Sequence, residues 1–440
     1  MRPGPPLPFM RAAIWAALIG LCLSGTLAGS GRGRSEEGRS RVNAERVVTG
    51  AQRLVREDFE RLAGKRVGLI ANHTTRVKEG HLADLLHASR RVALVALFGP
   101  EHGLRGTGDA SEEIAHGRDE KTGVPVYSLY GDTRQPTAGM LRGIDVLIFD
   151  IQDVGARFYT YISTMGLAMQ AAARAGIPFM VLDRPNPLGG VYMSGHLVTP
   201  ENISFVSQYP IPLAHGMTAG ELARMIRGEG FLPGLEKLRL EVLAMAGWRR
   251  DMQWSDTGLA WRPTSPNIPD VETALIYPGA GFFEATAASE GRGTGKPFRL
   301  IGTPWSDGGP LAETLNARDL PGVTFAPARF TPKRLPGMAA DPKHRGKALD
   351  GVEITLTDPR LFQPVETGVH LLHAFREEAK AQGKRLIDRP DWLAKLAGTR
   401  RFHDLLRKGG EPQAVIADWQ KDIAAFAKRR APYLLYDAQR

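Results

Sequence analysis

Cysteine is almost missing from this chain: one residue in 440, Cys22. It lies in a segment with the composition of a secretory leader, since Arg2 and Arg11 flank residues 12–23, which are nearly all apolar. Thr26-Leu27-Ala28 supplies small residues for cleavage, so residues 1–28 are read as a signal peptide. Leu21, not Gly or Ala, precedes Cys22, which argues against a lipid anchor. Without that segment there is no cysteine, hence no disulfide and no thiol catalysis. No other apolar run approaches a spanning length, so no stable membrane insertion is expected. Metal-ligand patterns are also missing: there is no H-E-x-x-H, and His73, His102, His215 and His370 are scattered. Residues 289–296 (SEGRGTGK) resemble a phosphate loop but fail it, with Glu290 and Pro297 where Gly and Ser/Thr belong. No G-x-G-x-x-G follows the first strand either. Neither metal nor cofactor is expected.

What is present is an ordinary globular composition, 42% apolar and 24% charged, with 50 glycines and 31 prolines giving many loops. The net charge of +10 suits acidic polymers of an envelope better than nucleic acid if the chain is exported. Residues 29–46, with Arg32, Arg34, Arg39 and Arg41, read as a polar linker. A helical lead-in over 46–63 precedes four continuous apolar runs at 66–71, 92–98, 144–149 and 178–182. Continuous Val/Ile/Leu runs are how strands buried on both faces of a parallel sheet read. Helical spacing at Leu82, Leu85 and Leu86, then at Ile162, Met165, Met169 and Ala172, separates them. Thr218 and Glu221 form a capping-box pattern before another helix. The alternation predicts a Rossmann-like, doubly wound α/β domain over 47–269. After the proline-dense 261–269 a smaller α+β domain is expected over 270–440, with a strand at 352–356 and helices at 365–382 and 411–429.

Open parallel sheets bind ligands outside the carboxyl ends of their strands. Here those ends run into Asn72-His73-Thr74-Thr75, Gly99-Pro100-Glu101-His102-Gly103, Asp150 to Gly155, and Asp183-Arg184-Pro185-Asn186. Glu101 sits between Gly99-Pro100 and Gly103, which predicts a tight turn holding a carboxyl at the sheet edge as a general acid. A loop carboxylate bonding backbone amides is the plain alternative. Asp153 is the candidate second carboxylate, because paired carboxyls flanking a bond are the apparatus of glycoside hydrolysis. Asp150 is read as the cap of the turn that follows it. Arg157 offers a fork for a carboxylate, and Tyr159 and Tyr161 offer stacking faces and hydroxyls. Farther on, Glu284, Glu290 and Arg292 flank glycines that let backbone approach a ligand, or that form a purely structural loop.

Taken together, these segments resemble the bacterial exo-β-N-acetylmuramidases. The resemblance rests on residues 68–74 (GLIANHT), 98–106 (FGPEHGLRG), 121–131 (KTGVPVYSLYG), 145–161 (DVLIFDIQDVGARFYTY) and 183–190 (DRPNPLGG). It continues through 215–218 (HGMT), 265–269 (SPNIP), 284–295 and 431–436 (APYLLY), spanning about residues 65–437. It implies a Rossmann-like domain, an auxiliary C-terminal domain, and release of terminal N-acetylmuramic acid from the non-reducing end of peptidoglycan fragments. It also implies Glu101 as the catalytic carboxylate; on that reading Arg157 or Arg292 is expected to bind the lactyl carboxylate, and Asn72, His102 and Tyr159 to contact sugar hydroxyls or the acetamido group. His73, Tyr161, Glu284 and Glu290 complete the expected binding set, with Glu290 a rival to Asp153. Two other readings stay open: a metal-assisted wall amidase or esterase using His73, His102 and Asp153, and a non-catalytic periplasmic muropeptide-binding protein.

Overall fold

A computed structural model describes residues 47–101, 103–105 and 117–438. The expected leader, the linker and His102 lie outside the described residues. Twelve strands occur among the described residues. The first nine are β1 (Arg66–Ala71), β2 (Arg76–Val77), β3 (Gly80–His81), β4 (Ala93–Gly99), β5 (Gly117–Arg118), β6 (Pro125–Ser128), β7 (Val146–Asp150), β8 (Phe179–Leu182) and β9 (Leu240–Leu243). The last three are β10 (Leu300–Thr303), β11 (Val323–Phe330) and β12 (Leu349–Leu356).

Seven strands form one sheet in the order β5-β6-β4-β1-β7-β8-β9, all parallel except the short edge strand β5. Its centre is β1, whose Val67 to Ala71 pair in register with Val146 to Asp150 of β7. Both strands are buried on both faces, which is why each reads as an unbroken apolar run. The helices Leu82–Ala88, Tyr161–Ala175 and Ala219–Gly228 fall where the helical spacing puts them. The last has its capping box in place, with Thr218 Oγ1 accepting from Glu221 N and Glu221 bonding back to Thr218 N. The expected lead-in is a shorter helix, Gly50–Arg56, followed by the single turn Glu60–Leu62.

Chain order runs outward from β1 through β4 to β6, then returns to β7 and proceeds through β8 to β9. This is the Rossmann strand order, and its reversal leaves a crevice beyond the carboxyl ends of β1 and β7. The functional site is built there.

Strands β10, β12 and β11 form an antiparallel sheet covered by the helix Gly308–Asn316, and the helix Pro364–Ala381 packs on that helix in turn. The helix expected over 411–429 is two helices, Pro412–Asp418 and Gln420–Arg430, divided at the fully buried Trp419. The apolar core is continuous across the chain: Phe149 and Met165 belong to the same cluster as Phe282, Val352 and Phe375. At residue 279 the backbones of Val271–Ala280 and Pro364–Ala381 nearly touch. A Cβ on Gly279 would lie 2.0 Å from the Pro364 carbonyl oxygen, so only glycine fits.

Arg157 departs from expectation, and it explains part of this union. It is fully buried, with Nη1 donating to the carbonyls of His196 and Ile211 at 2.7 Å. Its Nη2 donates to Leu396 O at 2.9 Å and its Nε to Ser207 Oγ at 3.2 Å. Every fork position is occupied by protein, so no edge is left for a substrate carboxylate. Burial alone lowers its pKa to about 9, which still leaves it charged at neutral pH. Arg157 is therefore a tie between the loops after β8 and the helix Pro390–Ala397, not a ligand-binding fork. Arg157→Met should cost about 3 kcal/mol or more, since three buried carbonyls lose their donor. Chemical denaturation checks this, and a loss under about 1 kcal/mol would contradict the role.

Candidate active site

The loop after β1 is stitched to the loop after β7 by threonine side chains. Thr75 Oγ1 donates to the Asp150 carbonyl and accepts from Asn72 N at 3.0 Å. Thr74 Oγ1 donates to Asn72 Oδ1 at 2.6 Å and accepts from Gln152 N at 3.0 Å. With its oxygen also bonded by Thr74 N, Asn72 can present only its amide nitrogen elsewhere. That nitrogen is buried near the Tyr161 hydroxyl and completes no well-formed hydrogen bond. The hydroxyls of Tyr159 and Thr264 lie buried in the same neighbourhood, also without a well-formed partner. Tyr161 donates to Thr264 O at 3.1 Å. Asn72, Tyr159, Tyr161 and Thr264 thus form one buried polar cluster whose members face one another.

Beside them opens a cavity of about 420 Å3, within the usual range for small-molecule sites. Glu101, Tyr159 and Tyr161 line it from the large-sheet side, and Tyr277, Glu284 and Arg292 from later in the chain. Glu101 occupies a corner of the expected turn: Gly103 N donates to Pro100 O at 2.9 Å, and Gly103 takes a φ of 71°. The turn turns a strand end into a half-buried carboxyl on the cavity wall. Tyr159 packs edge-on against both Tyr161 and Tyr277, at 4.9 and 5.9 Å between ring centroids. Burial, reinforced by Glu101, raises the proton affinity of the Tyr159 and Tyr161 hydroxyls, so both stay neutral donors.

Arg292 is the cation of the wall. It bonds Glu284 Oε1 at 2.7 Å, lies 3.6 Å from Glu290, and stacks over Phe298 with its guanidinium carbon 5.2 Å from the ring centre. Burial opposes its charge, but Glu284, Glu290 and Glu101 outweigh burial and hold it firmly protonated. Glu290 itself is turned away, 3.0 Å from Lys343 Nζ, and does not line this cavity. His73 is likewise committed, its Nε2 being 2.6 Å from Pro263 O.

Asp153 lies deeper. It is 8% exposed, its Oδ2 accepts from Gly155 N at 2.7 Å, and its Oδ1 has no hydrogen-bond partner. Gly155, at a φ of 81°, is needed because a Cβ there would fall 2.2 Å from Asn186 Oδ1. Burial pushes the Asp153 carboxyl up to about 7, so the raised proton affinity expected in this site falls here. Its neighbour His215 is fully buried and pushed down to about 3 by burial and by Arg430 and Arg157. Neutral, with Nδ1 accepting from Met217 N, it carries its proton on Nε2, 3.8 Å from Asp153 Oδ2. Asp150 is no cap: Arg184 holds it through Nε at 2.5 Å and Nη2 at 2.9 Å.

Sequence reasoning missed Tyr277, Asn267, Arg134 and Lys395, which also line the cavity. Asn267 lies in the 265–269 segment, whereas Tyr277 and Lys395 sit on helices with no local sign of function. Among the described residues no group of three or more His, Cys, Asp or Glu is placed to hold a metal ion.

The Asp153 environment predicts a pH signature. A carboxyl whose folded pKa is raised to about 7 destabilises the fold progressively from about pH 4 up to about pH 7, and constantly above. Asp153→Asn keeps an acceptor for Gly155 N but loses that titration. Wild type should therefore fall behind the variant by a few kcal/mol between pH 4 and pH 7. Parallel denaturation profiles across that window would contradict it.

Residues 67–272 match the family model for the N-terminal part of the exo-beta-N-acetylmuramidase NamZ, and residues 275–436 match the C-terminal part. The peptidoglycan beta-N-acetylmuramidase NamZ of Bacillus subtilis (strain 168) is 43% identical over 430 residues, covering 97% of this chain and all of that protein. Two crystal structures of DUF1343-family proteins from Bacteroides fragilis superpose with TM-scores of 0.80 and 0.72, at 38% and 30% identity. Each alignment covers 89% of this chain and 99% of the other. The chain belongs to the NamZ exo-β-N-acetylmuramidase family.

Proposed function

We propose that this protein is an exo-acting glycoside hydrolase that releases N-acetylmuramic acid from the non-reducing end of peptidoglycan fragments. The observation that carries the reading is the make-up of one cavity: a carboxyl in a tight turn, a protonated arginine, and the aromatic faces of Tyr159 and Tyr277. N-acetylmuramic acid matches each of them. Its lactyl carboxylate pairs with Arg292, and its ring packs on the Tyr159–Tyr277 faces that line the cavity.

Glu101 is the acid that protonates the leaving glycosidic oxygen, because it is the carboxyl on the cavity wall that forms no ion pair among the described residues. Asp153 is a positioning residue. Its Oδ1 is sealed from solvent and it does not line the cavity, so it acts through the loop that it holds by accepting from Gly155 N. A buried, protonated carboxyl is a poor nucleophile, which favours assistance by the substrate's own acetamido group over a covalent aspartyl intermediate. The leader read at residues 1–28 fits action on wall material outside the cytoplasm.

The test is release of free N-acetylmuramic acid from a MurNAc–GlcNAc disaccharide, with chelator present. Wild type should release it, and Glu101→Gln should lose about a hundredfold or more in kcat, the cost of removing a general acid. Turnover surviving in Glu101→Gln would move catalysis to another carboxyl, and no release by folded wild type would contradict the reading. Arg292→Ala should raise KM about tenfold or more for the lactyl-bearing substrate. An unchanged KM would place the lactyl carboxylate elsewhere.

A further inference from the structure

A second cavity, about 570 Å3, opens at the same carboxyl edge of the large sheet. Thr74 after β1 and Arg184 after β8 contribute to its wall, with Arg76 and Lys78 of the β2–β3 hairpin, Arg56 and Arg262. Among the described residues no aspartate or glutamate lines it. Arg184 is neutralised by Asp150 behind it. The other four cations are exposed, and none makes a side-chain ion pair or hydrogen bond among the described residues. Glu79, bonded by Gln52 Nε2 at 2.9 Å, is the carboxylate near the rim, and it feels Lys78 and Arg56 only through space. Four uncompensated like charges around one concavity repel each other until an anion enters.

The position of this groove relates it to the catalytic cavity. Arg262 lines the groove and Ser265 lines the cavity, three residues apart and so within about 10 Å along the chain. Thr74 joins them again, since it borders the groove while its hydroxyl holds Asn72 in the site. One ligand can therefore reach both.

We propose that this groove is a carboxylate-binding site for the acidic peptide arms of the glycan whose terminal sugar occupies the catalytic cavity. The proposal rests on the reading of that cavity as a muramidase site for its choice of ligand. Peptide arms are favoured over a separate anionic polymer because they are carried on the same glycan; the terminal sugar, whose lactyl carboxylate is free to meet Arg292, has none, so the arm is that of a muramic acid farther along the chain.

Direct binding tests this apart from turnover. The probe is a dye-labelled wall tetrapeptide with free carboxylates, titrated by fluorescence anisotropy at low salt. The wild-type protein should bind it, and Arg56→Glu/Arg76→Glu/Arg262→Glu should weaken binding about tenfold or more, as should amidation of the peptide's carboxyls. The same triple variant should hydrolyse the peptide-free disaccharide within about twofold of wild type, since none of the three lines the catalytic cavity. If charge reversal impairs folding, Arg56→Ala/Arg76→Ala/Arg262→Ala is read instead, with the same direction. Equal binding by wild type and variant, equal binding of the amidated peptide, or preference for a polyglycerol phosphate would each overturn the proposal. Failure of wild type to cleave the disaccharide would sink the muramidase reading while the peptide titration still decides the groove.

Discussion

The contact on which the rest of the site depends is the threonine stitch between the loops that follow β1 and β7. Parallel strands exhaust their ladder at the carboxyl edge, and at the strand-order reversal no neighbouring chain covers the peptide groups left there. Thr75 and Thr74 supply the missing partners with their hydroxyls. The same bonds fix Asn72 with its oxygen spent and its amide nitrogen aimed among the tyrosines. A structural need of the fold thus anchors the buried polar cluster of Asn72, Tyr159 and Tyr161 behind the cavity wall.

Around this stitch, burial does the electrostatic sorting. The cavity is apolar enough to keep the Tyr159 and Tyr161 hydroxyls neutral and to hold a proton on Asp153, yet Arg292 stays charged because carboxylates surround it. Arg157, only two residues from Tyr159, meets the opposite fate. Its donors are consumed by backbone carbonyls from three segments, so it fastens the helix Pro390–Ala397 against the wall. That helix brings Lys395 and Leu396 to the cavity, which makes the later half of the chain part of the site.

Legibility in the sequence followed burial closely. β1, β4, β7 and β8 were readable within two residues because both faces are covered and the apolar run is unbroken. β6 and β9 lie toward the sheet's edges, half-exposed and only four residues long, so their sequences carry no comparable run. Strand ends pointed to Glu101, Asn72 and Asp153, and the structure puts Glu101 on the cavity wall and the other two deeper, since topology alone brings such ends together. Arg157 was misjudged because residue type cannot say whether a fork meets a ligand or three carbonyls. Tyr277 and Lys395 were invisible because each reaches the site through the packing of a helix far along the chain, and local patterning does not encode that distance.

The most direct test is a crystal structure of the protein with bound N-acetylmuramic acid. The account predicts the sugar in the 420 Å3 cavity, its lactyl carboxylate on Arg292 and its ring against Tyr159 and Tyr277. A sugar bound elsewhere, or one seated here with its lactyl carboxylate away from Arg292, would contradict it.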